Sequence, residues 1–191
     1  MRIVGGRWRG RRLVMAPGRE HRPTQERVRE ALFDCLGVRI AGARVIDLYA
    51  GSGALGLEAL SRGALHALFV EAARPALMAL RANIEALAAG EAAEVVAGDA
   101  LEFLARRRGR GREVDVLLAD PPYGTIDDGW LARVATAPAL HWAPQALLVL
   151  EGSRREPEPR ILRGWRAGQG RLYGETRLVI HVRESADGER E

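Results

Sequence analysis

The sequence predicts an α/β fold with one mostly parallel sheet, helices on both faces, and an antiparallel hairpin at the end of the chain. From Ala43 onward, short apolar runs typical of strands alternate with glycine turns and segments of helical periodicity. Such alternation is typical of parallel strands joined by helices. The alternation stops near the end, where residues 165–173 and 177–182 are two strand-like segments separated by three residues. Five parallel strands and this hairpin make a seven-stranded sheet.

The segment before the sheet is a short arm followed by a helix. The first twenty residues alternate short apolar and arginine positions around glycines, which predicts a β-ribbon or arm. We assign residues 1–22 to this N-terminal arm. Pro23 begins a helix that Thr24 can cap. Its core face is predicted to carry Val28, Ala31, Leu32, Cys35 and Leu36.

The remaining elements follow from the same alternation. A further helix is expected between the third and fourth strands, and residues 106–112 form an arginine-rich exposed loop. The first five strands are predicted at 44–48, 67–71, 93–97, 114–119 and 146–151, and two helices at 55–60 and 75–87.

Positive charge is concentrated at the start of the chain. The whole chain of 191 residues, the size of one domain, has a net charge of +4. Residues 1–30 contain nine arginines against three glutamates, a net charge of +6. Every one of the 29 basic residues is arginine, which fits a general coding bias, so only the clustering carries functional weight. Clustered guanidinium groups are typical of a surface that contacts phosphates.

Targeting signals and metal motifs are not apparent in the sequence. The first thirty residues contain no apolar signal segment, and no stretch has the length of a transmembrane helix. With a single cysteine, Cys35, we expect a cytoplasmic protein without a disulfide. The histidines have no partners at metal-ligand or catalytic-triad spacing, so we expect no metal site. They are His21, His66, His141 and His181.

A glycine loop after the first strand predicts a nucleotide-type cofactor. Gly51, Gly53 and Gly56 have the spacing that lets a backbone approach a ligand at a helix N-terminus. Glu71, at the end of the second strand, is placed to hold a ribose. The loop alone fits either a nicotinamide cofactor or S-adenosylmethionine.

Two acidic residues favour S-adenosylmethionine. Asp47 immediately precedes the glycine loop, where a carboxylate would repel a diphosphate and attract a cationic amino group. Asp99 and Ala100, after the third strand, suit an adenine amine and its ring. Asp99 could equally well only cap the following helix.

The sequence Asp120-Pro121-Pro122-Tyr123 ends the fourth strand and predicts chemistry on an amine. The lone pair of an exocyclic base amine is delocalised into the ring, so the amine is a poor nucleophile. The Asp120 carboxylate and the Pro121 carbonyl can accept its hydrogen bonds and orient it toward a methyl donor. Proline fixes the loop, and Tyr123 can stack on an extruded base.

Together these motifs resemble the RsmD family of bacterial 16S ribosomal RNA guanine-N2 methyltransferases, which have a Rossmann-like class I methyltransferase fold. The resemblance covers nearly the whole chain. The matching stretches are Arg2 to Arg11, Arg22-Pro23-Thr24, Arg27 to Phe33, Asp47 to Ala64, Asp120 to Tyr123, and Tyr173 to Thr176.

The resemblance implies roles for individual residues. Asp120, Pro121, Pro122 and Tyr123 would hold the guanine. Glu71 would bind the ribose hydroxyls, although Ala72-Ala73 replaces a polar residue that relatives often have nearby. The S-adenosylmethionine pocket would comprise Asp47, Ala50, Gly51, Ser52, Gly53, Glu71, Asp99 and Ala100.

The arm is assigned to RNA, and the rest of the chain to catalysis. Residues 23–184 are expected to form the methyltransferase domain and residues 185–191 a solvated tail. The RNA-contacting set is expected to comprise Arg2, Arg7, Trp8, Arg9, Arg11, Arg22, Thr24 and Arg27, although Trp8 could equally cover the sheet edge. The expected substrate is 16S rRNA within a small-subunit assembly particle, and the enzyme is expected to act as a monomer.

Other functions remain open on the sequence alone. A DNA adenine-N6 or protein glutamine-N5 methyltransferase would use a related Asp/Asn-Pro-Pro-aromatic loop, but the arginine arm favours nucleic acid over protein. More distant alternatives are an NAD-dependent oxidoreductase using the glycine loop and an RNA-binding assembly factor without catalysis.

Overall fold

The computed structural model describes residues 1–17, 23–106, 112–122, 124–156, 163–168 and 170–184. Arg22, Tyr123, the tail 185–191 and most of the arginine-rich loop lie outside the described residues, and so does the side chain of Thr24. The helices are α1 (Pro23–Leu36), α2 (Ala54–Ser61), α3 (Arg74–Ala86), α4 (Ala100–Ala105) and α5 (Asp128–Ala135). The strands are β1 (Arg44–Leu48), β2 (His66–Glu71), β3 (Ala93–Ala97), β4 (Arg112–Ala119), β5 (Leu140–Ser153), β6 (Trp165–Ala167), β7 (Arg171–Tyr173) and β8 (Thr176–Arg183).

These strands form one twisted sheet in the order β3-β2-β1-β4-β5-β8-β6, with β7 also paired to β8. The first five strands run parallel, and β8 runs antiparallel to β5. The chain order reverses between β1 and β4, the place where open α/β sheets bind ligands beyond the carboxyl ends of the strands. The predicted α/β architecture and its antiparallel end are therefore confirmed.

Successive side chains along the central strands pack into two separate cores, one on each face of the sheet. Val45, Val116 and Val149 belong to the core shared with α1, α2 and α3. Ile46 and Leu117 belong to the other core, which α4 and α5 cover. Because side chains alternate along a strand, Asp47 lies on the same face as Val45. This alternation determines the face of the sheet on which each side chain at the edge lies.

The structure divides the predicted hairpin differently from the sequence. The predicted strand 165–173 is split into β6 and β7, so the sheet has eight strands by this count. Between them, the Gly168 N–H donates to the Ile180 carbonyl at 2.8 Å, and a Cβ at Gly168 would lie 2.4 Å from that oxygen. The glycine lets the backbone cross close to β8 where regular pairing is interrupted.

Two other elements differ from the sequence prediction. β5 begins at Leu140, six residues before the predicted start, and includes an irregularity where the register with β4 shifts between Val114 and Val116. Helix α5 was not predicted. Its apolar pattern is short, and its start is fixed by Asp127, whose carboxylate accepts the Trp130 N–H at 2.6 Å.

Helix α1 buries Val28, Leu32 and Leu36 as predicted, but its core face also includes residues that were not predicted. Leu32 and Phe33 are each 1% exposed, and Arg29 is buried beside them, whereas Cys35 is exposed. The prediction of Cys35 in the core is wrong, because the buried face extends toward Arg29 and Phe33 and leaves Cys35 at the exposed edge of the helix. The Cys35 thiol instead contacts the Arg171 guanidinium at the surface, 2.6 Å away.

The N-terminal segment folds as a small ribbon that packs on the helices. Arg2 and Arg12 form an antiparallel bridge, and a 3-10 turn spans Gly6–Trp8. Ile3 is fully buried, so the ribbon is anchored in the main core. Within the described ranges, no helix is long and apolar enough to cross a membrane.

Candidate active site

Five acidic side chains lie at the carboxyl edge of the parallel strands. Asp47 is the fourth residue of β1 and Glu71 the last residue of β2. Asp99 and Asp120 follow β3 and β4, and Glu151 lies near the end of β5. A sheet edge with this many carboxylates favours cationic and amine ligands and disfavours anions.

The glycine loop connects β1 to α2 and is pressed against the core. Its start is fixed to β2, because the Ala50 N–H donates to the Val70 carbonyl at 3.1 Å. Gly53 has a left-handed backbone (φ +83°), and a Cβ there would lie 2.4 Å from Leu80. A Cβ at Gly56 would lie 2.3 Å from the Phe69 ring. These glycines are needed for packing as well as for access to a ligand.

Asp47 is a buried carboxylate with one hydrogen bond from a described residue. Its side chain is 1% exposed, and its Oδ2 accepts the Gly56 N–H at 2.9 Å. Burial raises the pKa of Asp47 to about 7; the Gly56 hydrogen bond opposes that rise, and the charges of Asp120 and Glu71 add to it. A cation bound beside Asp47 would stabilise its ionised form.

Glu71 joins the glycine loop to the turn after β2, with one carboxylate oxygen on each. Oε2 accepts the Gly51 N–H at 2.7 Å, and Oε1 accepts the Ala73 N–H at 2.7 Å. A carboxylate oxygen has more than one lone pair, so each can still accept a hydroxyl proton. Ala73 contributes its backbone N–H to this arrangement.

Asp99 caps helix α4, as the simpler interpretation of the sequence predicted. One oxygen, Oδ1, accepts the N–H groups of Leu101 and Glu102 at 2.8 and 3.0 Å. The cap orients the side chain at the edge of the sheet, where it is exposed, while Ala100 is buried. The cap and a contact to a ligand are compatible, because both bonds use the same oxygen.

Tyr49 and Trp130 form a part of the site that sequence reasoning missed. Tyr49 has a positive φ of 60°, an unusual conformation for a residue with a side chain. Its hydroxyl accepts the Trp130 Nε1–H at 3.0 Å. Burial raises the pKa of Tyr49, the Trp130 hydrogen bond lowers it, and the charge of Asp99 raises it. Helix α5 thus supports the loop that follows β1.

The residues after β4 leave the sheet in a loop that is tied to the end of β5. Asp120 and Pro122 are exposed, and Pro121 is buried. The Glu156 carboxylate accepts the N–H groups of Gly124 and Ser153, the second at 2.9 Å. Glu156 therefore holds the Asp-Pro-Pro loop against β5, a role that no sequence motif indicated.

The N-terminal ribbon contacts the helices on the same face as Asp47. The Glu58 carboxylate in α2 accepts the Val4 N–H at 2.9 Å and pairs with Arg62 at 2.8 Å. Ser61 accepts the Trp8 N–H at 2.9 Å and donates to the Gly5 carbonyl at 2.6 Å. The arm predicted from sequence is therefore a docked part of the domain surface.

The arginines predicted to contact RNA have different environments. Arg2 pairs with Glu26 at 3.0 Å, Arg11 donates to the Ala86 carbonyl at 2.9 Å, and Arg7 lies over the half-buried Trp8 ring at 4.1 Å. Exposed Arg9 and Arg27 line a groove of about 400 Å³ between the ribbon and α1. Glu26 and Glu30 line the same groove, so its walls carry both signs of charge.

Asn83 connects this ribbon to the glycine loop. Its side chain in α3 is 1% exposed. Its Nδ2 donates to the carbonyls of Val14 and Ser52, each at 2.9 Å, and its Oδ1 accepts the Val14 N–H at 2.7 Å. One buried amide therefore joins the end of the ribbon to the glycine loop, and the sequence of neither segment indicates this contact.

Comparison with known proteins gives the family. The family model described as "Conserved hypothetical protein 95" matches residues 1–182. Ribosomal RNA small subunit methyltransferase D of Escherichia coli K12 is 37% identical, with 99% of this chain and 92% of the relative covered. The chain belongs to the RsmD family. The Haemophilus influenzae protein of the same name is 39% identical over 64% of this chain and 64% of its own length.

Solved structures agree with this family assignment. The structure of Escherichia coli yhhF has a TM-score of 0.83 and 34% identity, covering 96% of this chain and 98% of its own. The Thermus thermophilus 16S rRNA N2 methyltransferase RsmC, solved with AdoMet and guanosine, shares the fold, with a TM-score of 0.63 and 21% identity over 88% of this chain and 45% of its own. The fold of this RsmD-family chain is that of class I methyltransferases.

Proposed function

We propose that this methyltransferase transfers a methyl group from S-adenosylmethionine to the exocyclic N2 amine of a guanine in 16S rRNA. The observation that carries the proposal is the placement of the Asp120-Pro121-Pro122 loop at the acidic sheet edge, beside the glycine loop. The relatives that are named for methylation of small-subunit ribosomal RNA support the choice of substrate.

The residues at this edge fit S-adenosylmethionine, which supplies an electrophilic methyl group and carries positive charge. Asp47 is a buried carboxylate that a cation would stabilise, and its position suits the amino group of the methionine end. Glu71 would accept the ribose hydroxyls, and Asp99 with Ala100 would contact the adenine. Ala50, Gly51, Ser52 and Gly53 would provide the backbone cradle.

The same charges disfavour the oxidoreductase alternative. A nicotinamide cofactor would place its diphosphate at the glycine loop, where Asp47 and Glu71 both lie. Two carboxylates within contact of that loop would repel a diphosphate.

Asp120 and its neighbours would activate the acceptor amine. The Asp120 carboxylate and the Pro121 carbonyl would accept hydrogen bonds from the two N2–H groups, which localises the nitrogen lone pair and aims it at the methyl group. Bound S-adenosylmethionine would supply the methyl group, whose bond to sulfur would break as its bond to N2 forms, with S-adenosylhomocysteine as the leaving group. The extra proton on N2 would pass to a nearby carboxylate or to water. Tyr123, which lies outside the described residues, would stack on the extruded base.

The basic ribbon would bind the RNA around the target base. Arg9 and Arg27 line the groove and are exposed to face phosphates, whereas Arg2 and Arg11 also hold the ribbon in shape. Arginine contacts to phosphates supply affinity and orientation, and base contacts at the site supply selection.

Tritiated methyl transfer to immature small subunits tests this function. We expect incorporation by the wild-type protein and a loss of about 100-fold or more in Asp120→Ala, because the amine loses its orienting acceptor. Asp120→Asn keeps an accepting oxygen and should retain more activity than the alanine variant.

A control variant distinguishes a role of Asp120 in the site from a general effect of substitutions in or next to β4. Glu113 lies at the opposite end of β4, where it is exposed and pairs with Arg44 at 3.2 Å. Glu113→Ala should methylate at the wild-type rate. Unchanged activity in Asp120→Ala, or an equal loss in Glu113→Ala, would contradict the assigned role of Asp120.

A further inference from the structure

We propose that Glu151 is a specificity-determining residue that accepts the N1–H of the acceptor guanine beside Asp120. This inference rests on the proposed function, because it concerns the same acceptor base. No motif in the sequence and no named relative assigns a role to Glu151.

The register of the sheet places the two carboxylates side by side. Ala119 of β4 pairs with Leu150 of β5, so the next residues, Asp120 and Glu151, are neighbours across the parallel pair. Leu118 and Val149 belong to the core on the α1, α2 and α3 face. By alternation, the two acids lie on that face as well, the same face as Asp47.

Glu151 is held where a ligand can reach it and few protein donors can. It is partly buried, and within the described part of the chain no hydrogen-bond donor reaches its carboxylate. Burial raises the pKa of Glu151, the charge of Asp120 raises it further, and the charge of Arg29 lowers it. A carboxylate in this position gains from a neutral N–H donor supplied by a ligand.

The charge of Arg29 opposes the rise in the pKa of Glu151. The Arg29 side chain is 3% exposed, lies 3.4 Å from Glu58 and donates to the Arg2 carbonyl. Its positive charge interacts with Glu151, and its own position is fixed by the ribbon and α2. Of the two arginines in α1, Arg27 is therefore exposed and Arg29 is buried and structural.

The edge of guanine matches this pair of acceptors. Guanine presents N1–H and two N2–H donors side by side, and Asp120 with Pro121 accounts for the N2 donors. The adjacent N1–H is left for Glu151. Adenine presents an N1 lone pair at the same place, which an ionised Glu151 would repel. The pair therefore selects for guanine as well as orienting it.

The test uses an acceptor base that keeps the amine and lacks the N1 proton. Small subunits are reconstituted with RNA in which the mapped acceptor guanine is replaced by 2-aminopurine. For each RNA, kcat/KM is measured with wild type, Glu151→Gln and Glu151→Ala. We expect the ratio of kcat/KM with guanine to kcat/KM with 2-aminopurine to fall about tenfold or more in both variants. The Gln amide can hydrogen-bond to N1 of either base, and the Ala side chain to neither.

A control variant shows what a merely structural role would do. Glu156→Gln weakens the hydrogen bonds that join Gly124 to Ser153 and lies away from the acceptor base. It should therefore lower kcat/KM for the guanine RNA and for the 2-aminopurine RNA and leave their ratio unchanged. If the two Glu151 variants also keep the wild-type ratio within twofold, the inference is overturned. If wild type makes no N2-methylguanosine from the guanine RNA, the proposed function fails first, and nucleoside analysis of that reaction distinguishes the two failures.

Discussion

Single side chains at the sheet edge decide what the site can bind. Asp47 shows this most clearly, because the fold buries its carboxylate and surrounds it with other acids. The sequence predicted the positions of Asp47, Glu71, Asp99 and Asp120, because an acid after an apolar strand in this fold reaches the ligand edge. Glu151 satisfies the same rule and was missed, because β5 carries no recognisable motif.

The first prediction concerns the pH dependence of Asp47. Its pKa in the folded protein is about 7, above the ordinary value of 3.8, so the folded state keeps this proton to a higher pH than the unfolded chain does. Ionisation of Asp47 therefore costs folding free energy, on the order of a few kcal/mol, as pH rises from about 4 to 7. Without cofactor, Asp47→Asn should gain stability relative to wild type between pH 5 and pH 8 in urea unfolding.

Cofactor binding should show the opposite trend at the same residue. A cationic ligand favours the ionised carboxylate, so the affinity of the wild type for S-adenosylmethionine should rise with pH through about 7. Calorimetry at pH 6 and pH 8 measures this. An equal pH dependence in Asp47→Asn would show that another group is responsible.

The second prediction concerns packing at the glycine loop. Gly56→Ala places a Cβ 2.3 Å from the Phe69 ring, in a core with no room to move, so it should lower the free energy of unfolding by about 1–3 kcal/mol. A Cβ at Gly90 would meet no atom within 4 Å, so Gly90→Ala serves as the control. Equal urea midpoints for the two variants would contradict the close packing of the loop.

Helices and strands position the residues of the site. The sequence predicts the bounds of some of these elements well and of others poorly. β1 and β3 lie at the predicted positions, because apolar runs bounded by turn residues define them. α5 was missed, since only Trp130, Leu131 and Val134 are buried in its eight residues. β5 extends beyond its apolar run through Pro144 and Gln145, where the register shift accommodates them and Gln145 has a positive φ.

The third prediction concerns the connection between the ribbon and α3. Asn83→Ala leaves the Val14 N–H and two carbonyls without their partner, so the ribbon should detach from the glycine loop. We expect faster tryptic cleavage at Arg11 and Arg12 and weaker binding of S-adenosylmethionine. Glu85→Ala, an exposed change on the same helix, should alter neither. If Asn83→Ala binds S-adenosylmethionine as tightly as the wild type does, the ribbon does not influence the cofactor site.

At the scale of the whole molecule, the charges are arranged by sign. The carboxyl edge of the sheet is acidic, and the N-terminal ribbon, residues 1–17, carries five arginines and no acidic residue. The charge of the arm was readable from the sequence. Its docking was not, because the contacts of Glu58, Ser61 and Asn83 with the ribbon join residues more than fifty positions apart.

The fourth prediction concerns the salt dependence of RNA binding. Arg9→Ala and Arg27→Ala should each weaken RNA binding and reduce the slope of log affinity against log salt by about 0.7–0.9 for each lost phosphate contact. Arg133 is exposed on α5, which packs on the opposite face of the sheet, so Arg133→Ala is the control. Identical slopes for the three variants would place the RNA elsewhere on the surface.

The most direct test of the central claim is the identity of the methylated nucleoside. Small subunits from cells lacking this protein are incubated with the purified protein and S-adenosylmethionine, and their RNA is digested and analysed by mass spectrometry. The account predicts one new N2-methylguanosine in 16S RNA, formed by wild type and lost in Asp120→Ala. Methylation of an adenine, or no methylated nucleoside at all, would contradict it.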